Sequence, residues 1–317
     1  MLCIMITVHR QTMLLIETIL LNILINNMMK IKTVIQIISF PLILLVGYAF
    51  ATHVTIPNWV FKEQNNLDID TKTSNILCKR FNTPEGYDRM AYNAQSFESW
   101  LRNTSLKKYG TSVYLFNGDL KRNQQIHAAV LNVDVGTSDL QQCADAVMRL
   151  RAEYLFYKKA FDSITFTFTN GTKVPYSKWR AGYRTQVSGN TVAWVKKTNV
   201  DTSYVAFRKY LNTVFMYCGT YSLAKELKST SVDKIKAGDV FITGGFPGHA
   251  MIVMDVAKNK STGKKIFMLA QSYMPAQDIH VVENLNNSEI SPWFEIPENG
   301  RLETPEWTFD VGDLKRF

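Results

Sequence analysis

After Lys228 the sequence holds only strand-like runs: GDVFIT (238–243), HAMIVMDVA (249–257), KIFMLAQSY (265–273) and DIHVV (278–282), separated by short turn-rich stretches. Parallel pairing needs a crossover of a dozen or more residues, so runs this close together predict an antiparallel sheet. Two long helical patterns precede them. The first, SDLQQCADAVMRLRAEYLFYKKAF, reads as a helix with Ser138 as N-cap and Gln141 completing a capping box; Leu140, Cys143, Val147, Leu150 and Tyr154 form its apolar stripe. Arg149 lies four residues from both Asp145 and Glu153 on another face, the spacing of helix ion pairs. The second pattern, SYVAFRKYLNTVFMYCGTYSLAKELK, reads as one helix running to Lys228. Helices first and strands after them predict an α+β fold.

Upstream the pattern is shorter-ranged. SFESWLRNTSL predicts a small helix capped by Ser96 that buries Phe97, Trp100 and Leu101. SVYLF (112–116) and QIHAAVLNVDV (125–135) read as strands joined at Asn117-Gly118-Asp119, and SITFTFTNGTKVPYSKW as strands around an Asn-Gly turn. The tail WFEIPENGRLETPEWTFDVGDLKRF reads as irregular packing around aromatics.

Residues 1–51 carry targeting signals. Met28-Met29-Lys30-Ile31-Lys32 is a short basic region, followed by the apolar run TVIQIISFPLILLVGYAF and by Ala49-Phe50-Ala51, small residues arranged as a signal-peptide cleavage site. The expectation is a signal peptide over residues 1–51 and a single exported domain over 52–317 in the periplasm, with an uncleaved inner-membrane anchor as the alternative. The start then falls at Met28 or Met29 rather than Met1, and membrane contact is confined to the N-terminal segment. Asn58 to Thr73 is polar and irregular and reads as a linker or docking segment.

The net charge of +9 is spread over pairs such as Lys107-Lys108 and Lys264-Lys265, with no basic stripe, so no nucleic-acid partner is expected. The four cysteines, at 3, 78, 143 and 218, lie far apart without histidines at ligand spacing; neither a metal nor another cofactor is expected. Three of them remain after cleavage, an odd number for an oxidising compartment.

The segment AGDVFITGGFPGHAMIVMDVA concentrates the chemical signals. Its glycines allow close backbone approach, and His249 opens the next strand at the mouth of this loop. Counting back from the turn at Ser261-Thr262-Gly263 places Gln271 and Tyr273 beside Met251 and His249, so Gln271 can orient the imidazole. Two thiols compete as partner. Cys218 precedes His249 by 31 residues but reads as helix interior; Cys143 precedes it by 106 but sits nearer a helix N-terminus, where a thiolate is stabilised.

A helix followed by an antiparallel sheet with a G-D-V-F-I strand and a G-H strand resembles the NlpC-type branch of papain-like peptidases and amidases, over residues 205–283. That resemblance implies a papain-like core of helices packed on an antiparallel sheet, here with N-terminal additions, and a cysteine nucleophile acting with His249 as base and Gln271 as orienter on cell-wall peptide. Over nearly the whole exported part, SFESWLR, DLQQCADAVMRLRAEYL, GDVFITGGFPGHAMIVMDV and LAQSYMPAQDIHVV resemble a bacterial family known as domain of unknown function 4846. Its DLQQCADA stretch implies Cys143 as the nucleophile of the two thiols and Gln142, Asp145, Arg149 and Glu153 as cleft residues. The rival expectation is a non-catalytic papain-like module, with Trp179, Arg180, Tyr273 and His249 lining a cleft for a glycan or peptide.

Overall fold

The computed structural model describes residues 73–298 and 300–317. The expected signal peptide, its boundary at 51/52 and nearly all of the segment Asn58–Thr73 lie outside the described residues. The helices are α1 (Leu77–Arg80), α2 (Phe97–Arg102), α3 (Cys143–Tyr157), α4 (Tyr176–Arg180), α5 (Tyr204–Tyr217) and α6 (Thr220–Glu226). The strands are β1 (Tyr87–Arg89), β2 (His127–Val130), β3 (Thr165–Thr167), β4 (Lys173–Pro175), β5 (Tyr183–Ser188), β6 (Thr191–Lys196), β7 (Lys228–Ser229) and β8 (Val240–Thr243). They continue with β9 (His249–Asn259), β10 (Lys265–Gln271), β11 (His280–Val282), β12 (Trp293–Glu295), β13 (Arg301–Glu303), β14 (Thr308–Asp310) and β15 (Leu314–Arg316).

One antiparallel sheet dominates, in the order β2-β11-β10-β9-β8-β15-β7, with β1 added to β9 and β12 to β10. The fold is α+β, as the order of helices and strands predicts. The eleven-residue β9 is its spine, pairing Thr243 with His249 on one side and Ala270 with Ile252 on the other. Both faces of this spine are covered, which is why HAMIVMDVA is apolar throughout instead of alternating. Ala250, Ile252 and Met254 pack with Ala144, Val147 and Leu150 of α3 and Phe207 and Leu211 of α5. Met251 and Val253 pack on the opposite face with Phe241, Phe267, Leu302 and Phe309. Asp255, fully buried in the same strand, is neutralised by Arg89 and Arg102, each 2.7 Å away.

Four expectations are corrected. Helix α3 begins at Cys143, not near Ser138, because Asp145 at the third helical position accepts the Gln142 N–H (3.1 Å) and fixes the cap there. The second long helix is two: the chain turns extended at Cys218 and Gly219, ending α5 and starting α6. The tail is ordered into the β13–β14 hairpin, whose Leu302 and Phe309 roof the second core, and into β15, which lies between β8 and β7. Of the two upstream strands, 125–135 forms only the four residues of β2, and 112–116 makes isolated bridges through Tyr114 and Leu115. Among the described residues, no helix is long and apolar enough to cross a membrane.

Candidate functional site

The loop Gly244–Gly248 turns the chain from β8 into β9 tightly against α6. A Cβ on Gly248 would lie 2.4 Å from Thr220 Oγ1 and 2.6 Å from the Thr243 carbonyl, and the Thr220 hydroxyl donates to the Gly245 carbonyl (3.1 Å). The close approach that these glycines permit is therefore to the protein's own helix. Gly248→Ala is expected to destabilise the fold by about 1–3 kcal/mol, read as a lower urea midpoint with unchanged slope.

This turn delivers His249 to the end of the sheet, 1% exposed. Its ring is enclosed by Tyr273, Trp307 and Phe309, with centroids 5.0, 5.5 and 5.9 Å away. Its Nε2 lies 2.8 Å from Gln271 Oε1. The β9–β10 register shifts by one residue between Met268 and Leu269, and past that shift Ala270 pairs with Ile252, which carries Gln271 onto the same sheet face as His249, one diagonal step away, the expected placement. Burial, the larger cause, and the cation of Lys121 push the imidazole down to about 4, against the opposing hydrogen bond from Gln271.

Cys143 is the first residue of α3, and it is buried. The hydroxyl of Ser272, just past the end of β10, donates to the Gln141 carbonyl (2.9 Å), which ties the start of this helix to the end of the sheet. The backbone N–H groups of Ala144, Ala250 and Cys143 itself act to lower the thiol, against larger opposing causes. The Tyr273 hydroxyl is raised by burial first, then by Glu306 and the Cys143 thiol. Burial first, and Asp145 second, push the Cys143 thiol up to about 11, so both thiol and imidazole are neutral at rest. Gln141 Nε2 and Asp145 Oδ1 at this helix start are buried without hydrogen-bond partners.

A polar chain continues behind Gln271. Its Nε2 donates to Glu306 Oε2 (2.6 Å) and lies 3.3 Å from His280 Nε2; Glu306 pairs with Lys121 (2.7 Å), whose ammonium sits 5.3 Å from the Tyr273 ring centre. Sequence reasoning misses Glu306, Trp307 and Phe309 because they come from the tail, where the alternation of RLE and TFD around T-P-E-W is the one hairpin signal.

The other expected site residues are placed differently. Gln142 caps α3 and donates to Asp139 (3.1 Å), at the entrance to the same helix start. Arg149 is fully buried, donating to Glu153 (2.6 Å), Gln141 (2.9 Å) and Asp134 (3.1 Å); with Glu153 it serves as an internal tie and presents no group to a cleft. Asp145 turns to the cap instead of Arg149, and burial raises its carboxyl well above the usual range. Trp179 and Arg180 are not brought to His249: Trp179 is packed against Tyr210, and Arg180 lies over Phe161, 4.2 Å from its ring centre. Cys218 sits in the break between α5 and α6, donates to the Thr167 carbonyl (3.2 Å), and is raised strongly by burial, so it is a structural thiol. Cys78, Cys143 and Cys218 are all free thiols. Among the described residues no cluster of three or more His, Cys, Asp or Glu side chains is arranged to hold a metal ion.

No curated protein and no solved structure matches this chain. A family model described as domain of unknown function 4846 matches residues 77–316, from α1 through β15 and so across every element of the site, and the chain belongs to that family.

Proposed function

We propose that the protein is an exported, papain-like cysteine amidase or peptidase acting on cell-wall peptide or a related amide. One observation carries the reading: Cys143 opens α3, whose start is tied to the end of β10 through Ser272 and Gln141 and shares a core cluster with Ala250, the residue after a histidine whose Nε2 is held 2.8 Å from Gln271. In this mechanism His249 Nδ1, the ring nitrogen that Gln271 does not engage, takes the thiol proton as the sulfur attacks the amide carbonyl carbon. The ring returns that proton to the departing amine as the C–N bond breaks, and water then hydrolyses the thioester to restore the thiol. Backbone N–H groups at the start of α3 stabilise the oxyanion. Because thiol and imidazole are neutral at rest, the proton moves with the attack and not before it.

Incubation with stem peptides from peptidoglycan is expected to release amine product, and Cys143→Ala or His249→Ala to lower the rate about 1,000-fold or more while leaving the fold intact. Wild-type turnover by a folded Cys143→Ala protein would refute the reading. A second reading, a binding module of the same shape, draws on the same neutral pair and on the covered imidazole ring. It requires saturable peptide or glycan binding without turnover, unchanged in Cys143→Ala.

A further inference from the structure

We propose that Glu306, at the tip of the β13–β14 hairpin, is a positioning residue that sets the tautomer of His249 by locking the side-chain amide of Gln271. The inference deepens the amidase reading and rests on it for its catalytic meaning, but the hydrogen-bond logic stands on the geometry of the network and the burial of His280.

The chain of donors starts at His280. Its Nδ1 lies 2.9 Å from the Asp278 carbonyl, which can only accept, so Nδ1 carries the hydrogen. The ring is fully buried and neutral, burial being the main cause that pushes it down to about 3, so its Nε2 is a bare acceptor. Gln271 Nε2 therefore meets two acceptors, His280 Nε2 at 3.3 Å and the Glu306 carboxylate at 2.6 Å, and both amide hydrogens are used. Rotating the amide would set its oxygen against the carboxylate and a bare ring nitrogen, leaving three acceptors facing each other in a buried site. The amide oxygen is thus committed to His249, where it accepts from Nε2–H at 2.8 Å. A neutral imidazole with its hydrogen on Nε2 has its lone pair on Nδ1, the form a general base for the thiol requires. Lys121, 2.7 Å from Glu306, holds the carboxylate in place.

Glu306 touches neither the sulfur nor a reacting amide; it acts through Gln271. Without it the amide loses its charged acceptor, and the rotated form, which donates to His249 Nε2 and drives the hydrogen onto Nδ1, becomes accessible. The test is a nitrogen-15 spectrum of histidine-labelled full chain, which distinguishes the two tautomers of each ring. Wild type is expected to show His249 with hydrogen on Nε2. Glu306→Ala is expected to shift the tautomer ratio about tenfold or more toward Nδ1–H, the scale of one lost charge-assisted hydrogen bond. Glu306→Gln, which keeps an acceptor oxygen, restores the wild-type form. A merely structural role would change the denaturation midpoint without moving the tautomer of folded protein. If Glu306→Ala does not fold, Glu306→Asp, which withdraws the carboxylate by one methylene, is read in the same way. An unchanged Nε2–H spectrum in the folded variant, or Nδ1–H in wild type, overturns the proposal. Loss of the amidase reading shows itself separately, as absent turnover with the tautomer shift intact.

Discussion

Acidification from pH 6.5 toward about 4 is expected to destabilise the protein, with a slope set by His249 and His280. Both imidazoles are buried, and their folded values fall to about 4 and about 3. The unfolded chain binds a proton at each near the ordinary histidine value, the folded chain does not, and stability therefore rises with pH across this window, by about 1.4 kcal/mol per pH unit per group. Asp145 acts in the opposite direction. Its buried carboxyl retains a proton above the usual carboxylate range, contributing stability that is lost as pH rises through its raised value. Glu226, whose carboxyl burial also raises, opposes in the same way. Each carboxyl that holds its proton offsets one histidine, so the wild-type slope falls below the about 2.8 kcal/mol per unit of two rings alone. Asp145→Asn removes one opposing group and should steepen the slope by about 1.4 kcal/mol per unit. Urea titrations at intervals from pH 7 to 4.5 measure the slope; a flat profile in both proteins would refute the assignment of two buried neutral rings.

Removing the guanidinium of Arg149 should cost about 3–5 kcal/mol, because it strands a carboxylate inside the molecule. Arg149 is fully buried and Glu153 is 4% exposed at 2.6 Å from it, while Asp134, on the other side, is 61% exposed and keeps Arg208 as a second partner. The penalty therefore falls on Glu153, whose remaining donor is the Tyr204 hydroxyl (2.7 Å). Arg149→Met is the informative substitution, since it keeps much of the side-chain volume. Adding Glu153→Gln should recover part of the loss by removing the stranded charge. Urea midpoints for the two single variants and the double variant read this coupling directly. A loss below about 1 kcal/mol for Arg149→Met would mean that the arginine is not the tie that orders the start of α3.

How far the site was legible in the sequence depends on the range of the signal. The juxtaposition of His249 and Gln271 needs more than the register that the turn at Ser261-Thr262-Gly263 sets: the β9–β10 pairing shifts by one residue between Met268 and Leu269, and without that shift the two side chains would lie on opposite faces. The position of Cys143 is misjudged by one turn because Ser138 and Gln141 have the spacing of a capping box, whereas Asp145 accepts the Gln142 amide and starts the helix four residues later. Cys218 is misread as helix interior because nothing in the apolar periodicity marks the extended pair Cys218-Gly219. Trp179 and Arg180 have the composition of a cleft and the location of a core, a distinction that depends on Tyr210 and Phe161 from other elements. Glu306 was out of reach altogether: its contact with Gln271 spans 35 residues and comes from a hairpin whose strands have three residues each, too few for a period to register.

That hairpin also fixes when the site can come into being. Thiol, histidine and amide are encoded by residue 271, but the carboxylate at 306 and the rings at 307 and 309 come from the last dozen residues of the chain, and β15 enters the sheet between β8 and β7 only after them. A chain in which this hairpin has not yet docked therefore carries an uncovered, unoriented imidazole. The arrangement around His249 is completed only when residues 306–309 fold back onto the sheet, so its assembly waits on a segment 35 residues beyond the amide that orients the ring.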